Sequence, residues 1–337
     1  MKNINEMSRK EKLGQTLIVG IFGAEIDAFT EKFIKEYKVG GIIIFRRNVE
    51  SEEQLINLIN NIKTMNKEAG NLPIYISVDY EGGRVNRMPK NIKKFPSANQ
   101  IYKTGDLEYA KNTYKEMGQV LNKFGINMDF APVLDLKIME EDNHPIGDRA
   151  IDANEDEVIK FGENFLLGLK EENILAVVKH FPGHGLTLND THRLLPKISC
   201  TKEKLEKHIK PFLNVDSDAM LVSHMLVKCM DKNYPVSLSK KIITGYLKNT
   251  INYSGLIITD DLMMRGLMFR CLFKIPIKEA IEAGSDMVLL CKENKRKEKA
   301  IQKYFKCKIP DEIIDEKVKK ILSIKQKYNI NDNEIKN

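Results

Sequence analysis

Short apolar runs alternate along the chain with longer segments whose apolar residues recur at helical spacing. The runs that predict strands are Thr16–Phe22, Gly41–Phe45, Ile74–Val78, Met128–Leu134, Ala176–His180, Ala219–His224, Leu256–Thr259 and Met287–Leu290. Several are near-continuous Val/Ile/Leu stretches, the composition of strands buried on both faces of a parallel sheet. Between them, Ser51–Lys67 opens with an N-cap serine and an acidic first turn, then sets Leu55, Ile56, Leu58, Ile59 and Ile62 on one helical face. Glu155–Lys170, Thr201–Leu213, Ser239–Lys248 and Ile277–Ala283 repeat that pattern. Eight such units without a glycine-rich phosphate turn predict an α/β fold of the TIM (β/α)8 barrel type rather than a doubly wound sheet. No Pro/Gly/Ser linker or internal repeat divides the chain. Residues 1–337 therefore read as a single domain, a barrel over about 12–292 followed by a helical, polar C-terminal tail over 293–337.

Composition changes this picture little. An apolar content of 42% supports a barrel-sized core, and the net charge of +7 is spread along the chain. Without a basic stripe or a recognition motif, that charge reads as a solvated surface and not as a nucleic-acid site. No apolar run approaches the roughly 20 residues that span a bilayer, so no membrane partner is expected. No apolar h-region follows the basic amino terminus directly, so no signal peptide is expected and the cytoplasm is the expected location. The five cysteines are widely spaced and form no CxxC, which fits reduced, unpaired thiols. A monomer or weak homodimer is the expected assembly.

The chemistry gathers at the carboxyl ends of the expected strands, where TIM barrels build their active sites. The third strand ends in Asp79-Tyr80-Glu81-Gly82-Gly83-Arg84, the fourth runs into Asp135, and the fifth ends in Lys179-His180-Phe181-Pro182-Gly183-His184-Gly185. Asp190 and His192 follow, the sixth strand ends in Ser223-His224, and the seventh in Thr259-Asp260-Asp261. Alternation along a strand points one of Asp260 and Asp261 into the barrel mouth and the other into its support, although an N-cap pair also fits. A carboxylate beside an imidazole, as in Asp190 and His192, suits a proton shuttle. Arg84, Arg149 and Lys179 can clamp substrate hydroxyls or carboxylates, or serve as structural ion-pair partners. His180, His184 and Asp190 have the chemistry of zinc ligands, but the H-x-H spacing of metal hydrolases is absent from the first strand, and no metal is expected.

Those residues carry a resemblance. Asp79-Tyr80-Glu81-Gly82-Gly83-Arg84-Val85, Lys179-His180-Phe181-Pro182-Gly183-His184-Gly185, Asp190-Thr191-His192 and Ile258-Thr259-Asp260-Asp261-Leu262 resemble the glycoside hydrolase family 3 β-N-acetylglucosaminidases of bacterial cell-wall recycling, in order from about Lys12 to Cys291. The resemblance implies a retaining double displacement on terminal β-linked N-acetylglucosamine, with muropeptides or related oligosaccharides as the carbohydrate substrate. By motif position it implies Asp260 as nucleophile and His192, oriented by Asp190, as general acid/base in place of the second carboxyl usual in glycosidases. Asp79, Arg149, Lys179, His180 and His224 match positions that hold the sugar, and no cofactor is implied. Two departures stand out: Leu186 replaces the Asp of the family's GHGDT, and Arg265–Pro276 is apolar where the family has a polar loop. The separate C-terminal domain of some Gram-positive relatives is not expected.

The same residues also fit other chemistry. A histidine acid/base does not repel phosphate as a carboxylate would, so a β-N-acetylglucosaminide phosphorylase fits the same scaffold. A metal-dependent hydrolase and a non-catalytic carbohydrate binder are two further readings.

Overall fold

The computed structural model describes residues 3–137, 146–187, 195–292 and 295–335. Its strands are β1 (Leu17–Gly20), β2 (Gly41–Ile44), β3 (Tyr75–Val78), β4 (Met128–Asp129), β5 (Leu175–Ala176), β6 (Val178–Phe181), β7 (Lys197–Ile198), β8 (Ala219–Val222), β9 (Leu226–Val227), β10 (Leu256–Asp261) and β11 (Met287–Leu290). Hydrogen bonds order the main sheet β5-β4-β3-β2-β1-β11-β10-β8-β6, and all its pairings are parallel. Only Val177 separates β5 from β6. That single stretch pairs with β4 on one side and β8 on the other, which closes the sheet into the expected eight-stranded barrel. A separate two-stranded ribbon, β7 with β9, lies outside it.

Strand alternation decides what fills the barrel. Ile18, Ile43, Tyr75, Met128, Leu175, Val177, Ala219, Leu221, Leu256, Ile258, Met287 and Leu289 pack together in its interior. Their neighbours, including Val19, Ile42, Ile76, Val178, Met220, Ile257 and Val288, pack outward in the layer shared with the helices. The same parity, continued toward the carboxyl ends, brings Asp79, Lys179, Asp260 and Cys291 to the mouth.

The helices form where the apolar periodicity places them. Ser51 caps Glu52–Glu68 by accepting the Gln54 N–H at 3.1 Å, and Leu55, Leu58, Ile59 and Ile62 are buried on its inner face while Ile56 is half-buried. Glu155–Glu171, Lys202–Asn214 and Ile277–Ala283 fall within a residue of expectation. Lys241–Thr250 is helical but wound as a π-helix. Beyond β11, Lys295–Phe305 and Asp311–Lys327 are helical. Ile321, Ile324, Tyr328 and Ile330 join the interior cluster, so the second of these helices and the residues after it cover the amino-terminal end of the barrel. No described helix is long and apolar enough to cross a membrane.

Candidate active site

A cavity of about 900 Å³ opens at the carboxyl ends of the strands. Asp79, Glu81, Arg84, Arg149, Lys179, His180, His184, Asp260 and Asp261 all line it, together with the apolar Phe45, Phe130, Leu221 and Leu289. This size and mixture suit a small polar ring bound by a few oriented groups.

One wall is a continuous charged network. The Lys179 ammonium lies 2.8 Å from Asp79 and 2.5 Å from Glu81. Arg149 makes a bidentate pair with Glu81, Nε to Oε2 at 2.7 Å and Nη2 to Oε1 at 2.8 Å. Burial alone would push Glu81 up, but Lys179 and Arg149 outweigh it and hold its carboxyl at about 2. Burial opposes the charge on Lys179 as well; Asp79 and Glu81 outweigh it and raise the ammonium above its ordinary value. Glu81, Lys179 and Arg149 are therefore charged at neutral pH, and the donors of the network are fixed before any ligand arrives.

Next to it, Asp135 orients two histidines. Its Oδ2 stands 2.7 Å from His180 Nδ1, and its Oδ1 accepts the backbone N–H groups of His180 at 3.3 Å and His184 at 2.8 Å. Burial raises the Asp135 carboxyl, but the His180 imidazole and these hydrogen bonds bring it well below the usual carboxylate range. A carboxylate at Nδ1 fixes the proton there and leaves Nε2 turned toward Arg149, 3.5 Å from Nη2. The His184 ring packs against His180 in a tilted arrangement, with 4.6 Å between centroids. Burial, then the neighbouring His180, lowers His184 to about 3, so it is neutral. Glycine is required in this turn, because a side chain at Gly185 would run into the Leu136 carbonyl.

Asp260 and Asp261 divide as alternation requires. Asp261 is buried, and its Oδ1 accepts the N–H groups of Met263 and Cys291, each at 3.0 Å. Asp260 is half-buried in the cavity wall, and its Oδ1 accepts the Asp261 N–H at 2.8 Å. His224 sits elsewhere than expected. It is buried and does not line the cavity; Nε2 donates to the Asp261 carbonyl at 2.9 Å and Nδ1 pairs with the Ser237 hydroxyl at 2.7 Å. Its ring braces the turn that carries Asp260 and Asp261. Arg84 is at the exposed rim, donating to the Ile146 carbonyl at 3.0 Å and lying 3.4 Å from Asp148.

Asp190 and His192 lie outside the described residues. Leu186 is described, and its side chain packs against the apolar core. The apolar stretch after Met264 contains the helix Arg265–Arg270 and leaves Phe269, Leu272 and Phe273 exposed. No cluster of three or more metal-ligating side chains occurs among the described residues. Glu81 and Asp135 are the participants that motif reading left without a role. Their positions, just past strand ends and beside residues already singled out, were the available signal.

A closed (β/α)8 barrel that holds a half-buried carboxylate and a preformed charged network in one polar cavity suits a glycoside hydrolase. The chain belongs to glycosyl hydrolase family 3: the model of that family's N-terminal domain matches residues 8–324. The β-hexosaminidase of Shewanella frigidimarina is 33% identical over 289 residues, covering 82% of each chain. That of Idiomarina loihiensis is 31% identical over 284 residues, covering 82% of this chain and 84% of its own. Among solved structures, the family 3 β-N-acetylglucosaminidase of Paenibacillus sp. str. FPU-7 superposes with a TM-score of 0.91 at 31% identity over 96% of this chain. The present chain spans 63% of that larger protein. NagZ from Neisseria gonorrhoeae, solved in complex with N-trifluoroacetyl-D-glucosamine, superposes with a TM-score of 0.71 at 25% identity, covering 93% of this chain and 98% of its own.

Proposed function

We propose that the protein is a retaining, exo-acting β-N-acetylhexosaminidase that releases terminal β-linked N-acetylglucosamine from cell-wall muropeptides or related oligosaccharides in the cytoplasm. The observation that carries this reading is the pairing, in one cavity, of Asp260 with the ion-paired wall of Asp79, Lys179, Glu81 and Arg149. Membership of family 3 and similarity to β-hexosaminidases support the sugar specificity.

In the first step the Asp260 carboxylate attacks the anomeric carbon while the bond to the leaving oxygen breaks and His192 supplies that oxygen's proton. In the second, water attacks the same carbon, His192 takes the water's proton, and Asp260 departs as carboxylate. Asp190 orients His192. Asp79, Lys179, Arg149 and His180 hold the ring hydroxyls, with Glu81 and Asp135 fixing their geometry. Asp261 and His224 position Asp260 from behind. Arg84, Arg87 and Lys292 also line the cavity, and this cationic set fits an acidic aglycone such as a lactyl- or peptide-bearing fragment.

The test is release of p-nitrophenol from the β-N-acetylglucosaminide and the β-glucoside, with and without phosphate. The expected result is cleavage of the acetamido sugar, indifferent to phosphate, and a loss of at least about a thousandfold in Asp260→Ala. Phosphate-dependent turnover that yields a sugar phosphate would assign the protein as a phosphorylase instead.

A further inference from the structure

Two thiols far apart in the sequence meet on the surface. In the ribbon outside the barrel, Lys197 of β7 stands opposite Leu226 of β9, and Ile198 opposite Val227. The Lys228 N–H carries the ladder one step further by donating to the Ile198 carbonyl at 3.1 Å. Cys200 and Cys229 follow at matching positions on the two segments. They share a surface recess with Ser199, Thr201, Lys204 and Lys228, and each thiol lies within electrostatic reach of the other. Cys200 is half-buried and Cys229 exposed. The proposed hydrolytic mechanism uses neither.

We propose that Cys200 and Cys229 form a reversible disulfide, a modification site outside the catalytic cavity. Both cysteines lie within two residues of the bond from the Lys228 N–H to the Ile198 carbonyl, where strands about 4.8 Å apart approach the roughly 4.4–6.8 Å between Cα atoms that a disulfide requires. Cys229 lies in the turn just after β9 and Cys200 just before the helix Lys202–Asn214, and the shared recess brings the two thiols together. The other three cysteines lie elsewhere: Cys291 in the cavity wall, Cys271 after the helix Arg265–Arg270, and Cys307 after Lys295–Phe305.

The oxidant is a small-molecule disulfide. Exposed Cys229, as thiolate, attacks one of its sulfurs; the small S–S bond breaks and one small thiol leaves with a proton. Cys200 then loses its proton and attacks the Cys229 sulfur of the mixed disulfide, expelling the second small thiol. Two protein thiols become one disulfide while one small disulfide becomes two thiols, so atoms and electrons balance. The order follows from the surroundings. Burial, and then the neighbouring Cys229, push the Cys200 thiol up to about 11. Capping Cys229 removes that opposing neighbour, and nearby Lys204 favours the thiolate. Cys229 therefore initiates and Cys200 resolves. The bond closes a loop around the helix Lys202–Asn214 and β8, on the segment that leads away from His224. It requires no assumption about the substrate.

The full chain is incubated with oxidised glutathione and then with dithiothreitol, with thiol labelling and peptide mapping at each stage. In the wild type, labelling is lost at Cys200 and Cys229 together, their peptides appear joined, and dithiothreitol restores both. In Cys200→Ser, Cys229 accumulates as the glutathione mixed disulfide, because nothing resolves it. The proposal is overturned if wild-type Cys229 also stops at the mixed disulfide, if the two thiols lose labelling independently, or if the joined peptides contain any other cysteine.

Discussion

Both ends of the barrel bury a lysine, and the two are held in opposite ways. At the carboxyl end, Lys179 faces Asp79 and Glu81, whose charges outweigh burial and keep its ammonium above the ordinary value. At the amino end, Lys325 Nζ donates only to neutral oxygens: Gln15 Oε1 at 2.8 Å and the carbonyls of Gly40 at 3.3 Å and Pro73 at 2.5 Å. It also lies over the Tyr75 ring at 4.8 Å. Burial there prevails and lowers Lys325 to about 7. The contrast separates a charge held between carboxylates at an open cavity from a donor used for closure. The carboxyl end stays open, and its Glu81, Lys179 and Arg149 stay charged. The amino end is sealed by Ile321, Ile324, Tyr328 and Ile330, and its lysine needs only to satisfy carbonyls left at strand starts.

The comparison can be broken most forcefully at Lys179. Replacing it by Met removes charge-assisted hydrogen bonds worth about 1.5–3 kcal/mol, so kcat/KM on the p-nitrophenyl β-N-acetylglucosaminide should fall roughly 10- to 150-fold. An unchanged kcat/KM would show that the charged wall does not serve catalysis. Glu81→Gln should act mainly on stability. It leaves Arg149 and Lys179 buried with one carboxylate fewer, at a cost of about 3 kcal/mol, read from urea unfolding at neutral pH. Because Glu81 is held low in the folded chain, that difference should be present above the unfolded value and shrink as pH falls toward about 2.

The smallest effect is expected at the sealed end. A lysine lowered to about 7 when folded binds fewer protons than the unfolded chain over the range up to its ordinary value near 10.5. Stability from this group therefore rises as pH increases through that window. Lys325→Met should remove that rise and leave kcat at neutral pH nearly unchanged. A variant that keeps the alkaline gain would mean that Lys325 remains charged despite its neutral partners.

The sequence made the open end more legible than the sealed one. All eight barrel strands coincide with apolar runs, because parallel strands buried on both faces leave few polar interruptions. Asp260 and Asp261 could be divided by alternation, and the structure divides them that way. Glu81 and Asp135 had no assigned role, since a carboxylate that orients another side chain looks in sequence like any other acid. His224 stood in a matching motif, yet its ring nitrogens go to Ser237 and the Asp261 carbonyl. Only packing reveals that. The segment beyond Glu293 reads as a helical tail, and it is helical, but its lysines mask the apolar stripe of Ile314, Val318, Ile321 and Ile324 that docks it on the barrel. One of those lysines, Lys325, is itself part of the seal. Cys200 and Cys229 met only through a parallel pairing that local periodicity could not reveal.

In the proposed mechanism Asp260 forms a covalent bond to the sugar. Its most direct test is trapping with a 5-fluoro β-N-acetylglucosaminyl fluoride, followed by intact mass and peptide mapping. The expected result is one glycosyl adduct per chain, on Asp260, forming as activity is lost. An adduct on Asp261 or another residue, or turnover of the substrate with no trapped species at all, would contradict it.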